Sequence, residues 1–203
     1  MLSTHEFDLL WGDLGLPAMP YPLQVPSTGR TFAERALLTV EVYRELADRC
    51  PATGRRLDSR LEALLAGPEV SVDAVGHIGY PVRALAAADG RTGVLAVLAG
   101  GEVWLTGIPP SALVQRIMAV FPPGAAGVGP GSPGNRCGGG QIGVLNGGRP
   151  STVVAWFDTP QGRYLLARRA GGVTLTPAED SDLVRRVEDL VDRGAGKIHA
   201  VGM

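Results

Sequence analysis

The stretches Val103-Trp104-Leu105-Thr106-Gly107-Ile108-Pro109-Pro110-Ser111-Ala112-Leu113-Val114-Gln115-Arg116 and Val173-Thr174-Leu175-Thr176-Pro177-Ala178-Glu179-Asp180-Ser181-Asp182-Leu183-Val184-Arg185-Arg186 lie 70 positions apart. They share seven identities: Val103/Val173, Leu105/Leu175, Thr106/Thr176, Ser111/Ser181, Leu113/Leu183, Val114/Val184 and Arg116/Arg186. Ile117 over Val187 and Val120 over Leu190 extend the apolar register. Each copy reads as a strand, a short connection and a helix, so the chain is expected to contain a duplicated unit of roughly four strands and one helix. A four-stranded sheet under one helix leaves apolar surface open. Joining two such units into one larger sheet about a pseudo-twofold axis buries it, which predicts an α+β fold with a central antiparallel sheet and flanking helices.

Working outward, short extended segments bounded by turn residues fall at 69–75, 81–88, 93–99 and 102–106. Asp89-Gly90 and Gly100-Gly101 join the last three as a meander. A helix is predicted from Pro110 to Phe121. Residues 122–150 hold 11 of the 29 glycines and 5 of the 16 prolines, and their middle is expected to be a mobile loop. Strands resume at 140–145, 151–157, 162–169 and 172–176. The last helix runs from Pro177 to Arg193, with Thr176 as cap, Glu179 completing a capping box, and Leu183, Val184, Val187, Leu190 and Val191 as one apolar stripe.

Before the first strand come three helices. Ser3 and Glu6 form a capping box ahead of Phe7, Leu10, Trp11 and Leu14, which recur at helical spacing up to Gly15. Pro17, Pro20, Pro22 and Pro26 keep the following stretch extended. Thr31 with Glu34 opens a second helix to Arg49, broken by Pro51 and Gly54. A third, Asp58 to Ala66, carries Leu61, Leu64 and Leu65 after Leu57. The expected organisation is one domain over 1–203: N-terminal helices 3–66, first half-sheet and helix 69–121, Gly/Pro loop 122–139, second half-sheet and helix 140–193, and tail 194–203.

The composition narrows function. The 19 basic and 20 acidic side chains of the 203 residues nearly cancel, which excludes a polyanion-binding surface and hence nucleic acid. Two cysteines, Cys50 and Cys137, build neither a disulfide framework nor a four-ligand zinc site. No Lys or Arg precedes Arg30 and no apolar run is long enough to span a bilayer, so the protein is expected in the cytoplasm without stable membrane insertion. Lys197 is the single lysine, a bias of a GC-rich genome.

Catalytic patterns are weak. Gly138, Gly140 and Gly143 match G-x-G-x-x-G, but that loop must follow a strand and open a helix, and Val144-Leu145-Asn146-Gly147-Gly148 cannot be helical. Gly196-Lys197 lacks the remaining P-loop residues. His5, His77 and His199 share no metal or catalytic spacing. Cys137 beside Arg136 is the one nucleophile candidate, which keeps an enzyme as the lesser alternative. Trp156-Phe157-Asp158-Thr159 and Gly162-Arg163-Tyr164-Leu165 read as a hairpin whose aromatics pack on the sheet, in preference to a ligand pocket.

Taken in order, several segments resemble the EspG family of proteins associated with ESX (type VII) secretion in actinobacteria. They are Phe7-Asp8-Leu9-Leu10-Trp11 with Leu14-Gly15-Leu16, Pro20-Tyr21-Pro22-Leu23 with Val25-Pro26-Ser27 and Gly29, Pro68-Glu69-Val70-Ser71-Val72, and Pro81-Val82-Arg83-Ala84-Leu85-Ala86-Ala87. Gly140-Gln141-Ile142-Gly143, the aromatic hairpin, and Val173-Thr174-Leu175-Thr176-Pro177-Ala178 continue the match. The resemblance implies a non-enzymatic cytosolic chaperone with a pseudo-twofold α+β fold and no cofactor or metal. It also implies that the chaperone masks the apolar tip of PPE-type or other helical-hairpin substrates and delivers them for secretion. Partner-binding candidates on this reading are Trp104, on one sheet face, and Leu183, Val187 and Leu190 on the last helix. A self-assembling module of the secretion system, for example a homodimer, is the other binding alternative.

Overall fold

The computed structural model describes residues 1–49, 59–169 and 172–199. Cys50, Pro51, Gly54, Leu57, Asp58 and residues 200–203, on which some of the expectations above fall, lie outside these described residues. In chain order the elements are β1 (Leu2–Ser3), α1 (Thr4–Asp13), α2 (Phe32–Arg49), α3 (Ser59–Ala66), β2 (Val70–His77), β3 (Pro81–Ala88), β4 (Gly93–Ala99), β5 (Glu102–Ile108) and α4 (Leu113–Met118). There follow β6 (Gly138–Asn146), β7 (Arg149–Pro150), β8 (Val154–Thr159), β9 (Gly162–Arg169), β10 (Gly172–Pro177) and α5 (Asp180–His199).

All the strand pairs are antiparallel and form one sheet in the order β1-β5-β4-β3-β2-β6-β8-β9-β10, with β7 beside β6. Two meanders therefore meet back to back where β2 pairs β6, Ala74 opposite Ile142. Each ends in a helix that returns over the same face of the sheet. Leu113 and Ile117 of α4 and Leu183 and Val187 of α5 are buried there among Val72, Ala84, Ile142, Val144, Trp156 and Leu165. Gln115 Nε2 donates to Glu188 Oε1 at 2.7 Å, tying the two helices. Common descent of the halves rests on the sequence match alone.

The local chemistry is mostly as the residues dictate. The Ser3/Glu6 capping box forms, with Glu6 N–H donating to Ser3 Oγ and Ser3 N–H to Glu6 Oε2. Thr31 caps Glu34 N–H, while the Glu34 carboxylate reaches Arg30 N–H instead of closing the box. In the β3–β4 turn Asp89 Oδ1 accepts from the Arg91 and Thr92 amides, and Gly90 takes φ +83°.

Several boundaries differ, four of them with a structural consequence. The helix expected over Pro110–Phe121 is a 3-10 turn at Pro110–Ala112 and then a six-residue α4. The last helix starts at Asp180, because Thr176 and Pro177 remain paired to Leu165 and Tyr164 of β9. Asp182 Oδ2 then accepts from Glu179 N–H, taking the capping role expected of Thr176. That helix also continues past Arg193 through Gly194 and Gly196 to His199, which places His199 in the helix and not in a tail. Finally, β6 begins at Gly138, and the stretch before it is not a free loop. Gly127 N–H donates to Arg163 O, Arg163 N–H to Ala125 O, and Ala126 bridges Arg163, so residues 124–128 run as a strap along the start of β9.

Candidate functional site

Consecutive apolar residues in a strand face opposite sides of a sheet. Leu165 of β9 is buried beneath the helices, so Tyr164 and Leu166 point to the other face. That other face is dressed unequally. Over the first meander, Leu85, Ala87, Val94, Ala96, Leu98 and Val103 are buried together with Phe7, Leu10 and Trp11 of α1, Leu64 and Leu65 of α3, and Leu23. Over the second meander no described helix lies on it. Leu145 (36% exposed), Val153 (54%), Leu166 (37%) and Val173 (56%) stand open, with Val75, Ala155 and Leu175 half-buried between them. An apolar run of this extent on one side of a sheet is the kind of surface that a partner covers.

Two borders frame the open face. On one end Phe157 and Tyr164 stack with ring centroids 5.6 Å apart and are buried by the strap. The Tyr164 ring lies against Gly127 and Gly131, and its Oη donates to Val128 O at 3.0 Å. Arg163, 2% exposed, anchors the same strap: its guanidinium forks onto Asp158 (Nε–Oδ1 2.7 Å, Nη2–Oδ2 3.1 Å), pairs with Asp180 and donates to Pro122 O at 3.0 Å. These contacts use its donors in the bidentate manner for which arginine is suited.

The other border is the boundary with the helix-covered half, and there sits Asp73. It lies opposite Leu85 on β3 and Gly143 on β6. Its carboxylate lies over Gly143; a Cβ built there would come within 2.6 Å of Asp73 Oδ1, so glycine is what leaves the room. Burial pushes the Asp73 carboxyl pKa up, opposed by hydrogen bonds from its own amide and that of Gly143. Among the described residues it takes part in no salt bridge.

The residues singled out from sequence are not brought together. Leu183 and Val187 are fully buried core residues of α5. Leu190 is half-buried against the same core, near Asn146, whose Nδ2 donates to the Leu190 and Val191 carbonyls at 3.4 Å. Trp104 is 51% exposed, but it lies opposite Val97 on the α4/α5 side, at the far edge of the first meander. The open-face residues Asp73, Leu145, Leu166 and Val173 were missed. Their signal was present in Tyr164-Leu165-Leu166, where both faces of a strand are apolar yet only one has a helix to meet it, and in Val173-Thr174-Leu175, whose apolar pair shares the face of Leu166.

The glycine motif serves packing. The Trp156 ring lies over Gly140, and a Cβ at Gly139 would strike the Trp156 carbonyl and the Phe157 Cα, so these glycines are strand residues thinned for close packing against β8. Trp156 further packs edge-on against Phe121 at 4.9 Å. Cys137 is exposed and its Sγ donates to Asp158 O at 3.3 Å, at the mouth of a cleft of about 450 Å³ shared with Ile78, Pro122, Thr159 and Arg163. Among the described residues no three His, Cys, Asp or Glu side chains converge as metal ligands, and no helix is long and apolar enough to cross a membrane.

The fold and this face define a class: an α+β protein with one antiparallel sheet, two helices on one side and a half-dressed second side. The EspG family model matches residues 3–133 and 132–189, and the chain belongs to that family. Among solved structures it is similar to the Mycobacterium tuberculosis type VII secretion system chaperone EspG5 in complex with the PE25–PPE41 dimer. The two are 12% identical, with 94% of this chain and 95% of that chain covered and a TM-score of 0.65. No curated protein matches the sequence.

Proposed function

We propose that this protein is a cytoplasmic, non-enzymatic chaperone of type VII secretion that masks the apolar tip of a PPE-type helical substrate and delivers it for export. Family membership and a fold shared with EspG5, whose structure contains a PE–PPE dimer, support the reading. The observation that carries it is the open face: Leu145, Val153, Leu166 and Val173 form an apolar surface that the chain's own helices leave uncovered. Burying that surface against an equally apolar tip removes both from water, and each well-covered aliphatic side chain contributes roughly 1.5–3 kcal/mol. Leu183 and Val187 then act from beneath, holding the sheet, and Leu190 and Trp104 lie outside the contact.

Co-expression with PE–PPE pairs encoded in the same secretion cluster, followed by size-exclusion chromatography with light scattering, tests this. The expected result is a co-eluting complex that Leu166→Glu abolishes and Trp104→Glu leaves intact. If Trp104→Glu breaks the complex and Leu166→Glu does not, the contact moves to the opposite side of the sheet. Self-association that Leu166→Glu dissolves, with no complex formed, establishes a homodimer instead.

A further inference from the structure

In the middle of the open face Asp73 is the charged residue, beside Gln141; by strand register Arg83, opposite Val75, and Arg168, opposite Val173, fall on the same side at its two edges. Arg83, the nearest cation by strand register, sits at the covered edge and donates to Gln24 O at 3.2 Å. Asp73 therefore presents a carboxylate, already partly stripped of water by its neighbours, to whatever lies on the face. Covering it with a purely apolar surface would bury an unpaired charge, the costliest arrangement available to an interface. Covering it with a cation converts the same burial into a desolvated ion pair, the kind of contact that separates one partner from another.

We propose, building on the function assigned above, that Asp73 is a specificity-determining residue: this face selects a helical tip that is apolar around a single Arg or Lys placed over the β2–β6 boundary. The partner is thereby defined by chemistry, an apolar helix end with one central cation, and tips lacking the cation are rejected because they strand the carboxylate.

The probes are the PE25–PPE41 dimer and any PE–PPE pairs encoded in the same genome, titrated calorimetrically against the full chain and against Asp73→Asn and Leu166→Glu, with melting curves as controls for folding. For a bound pair, Asp73→Asn is expected to weaken affinity about tenfold or more while Leu166→Glu removes binding. Replacing the tip's Arg or Lys by Met should weaken binding of the wild-type chain similarly, and the two changes together should cost no more than either alone. The partner-side change also serves if Asp73→Asn does not fold. Binding unchanged by Asp73→Asn or by the partner's Met, with Leu166→Glu still disruptive, overturns the role of Asp73 and leaves the chaperone reading standing. Binding unaffected by Leu166→Glu, or no binding by any pair, overturns both.

Discussion

Val103 and Val173 occupy the same place in the two halves of the sheet, on the fourth strand out from the β2–β6 boundary and on the same face, yet Val103 is 0% exposed and Val173 is 56% exposed. The difference lies outside both strands. The first half meets α1, α3 and the extended segment carrying Leu23, whereas the second meets nothing among the described residues but the strap over Phe157 and Tyr164. Identical residues in matching registers thus become core in one half and exposed surface in the other, because one set of N-terminal helices can cover only one of two equivalent faces. An asymmetric molecule results from a nearly symmetric sheet.

The comparison breaks most sharply under charge. Val103→Asp should abolish cooperative unfolding, since it places an unpaired carboxylate where water is excluded, whereas Val173→Asp should shift stability by no more than about 0.5 kcal/mol in urea denaturation. Equal destabilisation by the two would show that the second half is covered as fully as the first. A smaller loss is expected at the strap. Arg163→Met leaves Asp158 and Asp180 facing each other without their cation, and should cost about 3 kcal/mol, the low end for a buried pair because the Asp180 side chain keeps 40% of its exposure. Hydrogen exchange should then accelerate at the Gly127 amide, while the N-terminal helices keep their protection.

The mildest effect concerns the cover over the first half. Tyr43 on α2 donates to Asp13 at 2.8 Å, and burial, together with that bond and its charge, pushes its pKa up to about 12. A pKa raised on folding contributes stability that is complete below pH 10, where the unfolded tyrosine is still protonated, and is lost as pH climbs from 10 toward 12. Denaturation midpoints should fall across that window, and Tyr43→Phe should flatten the fall. A midpoint that falls identically in the variant would assign the alkaline loss to other groups.

Much of this architecture was legible in the residues. The 70-residue offset of the sequence match aligned the segment of β5 with that of β10 and α4 with α5, and Leu113, Ile117, Leu183 and Val187 are all buried as their spacing requires. Hairpins were marked by Asp89-Gly90 and Gly100-Gly101, whose three glycines all take positive φ. The site was less legible, for a physical reason. Amphipathic periodicity states that an apolar face must be covered and is silent on whether the cover comes from the same chain. The α5 stripe found its partner within the fold and so left the candidate list. Leu166 and Val173 could be recognised only once it was known where the N-terminal helices land. Likewise, the start of α5 was misplaced because Thr176-Pro177 suits both a helix cap and a strand end, and pairing with Tyr164 and Leu165 decided it.

The glycines between the halves also bear on how the gene can vary. Gly127 and Gly131 lie against Tyr164, Gly124 against the Arg163 guanidinium, Gly139 against the Trp156–Phe157 backbone, Gly140 beneath the Trp156 ring, and Gly143 under Asp73. A segment that looks by composition like a tolerant spacer is in fact constrained position by position, each of these hydrogens standing where a methyl group would strike a ring, a charge or a neighbouring strand's backbone. In a saturation-mutagenesis map these positions should reject alanine as firmly as the buried valines reject aspartate. Gly129, Gly148 and Gly172, which have open space around them, should answer only to the strain of their positive φ.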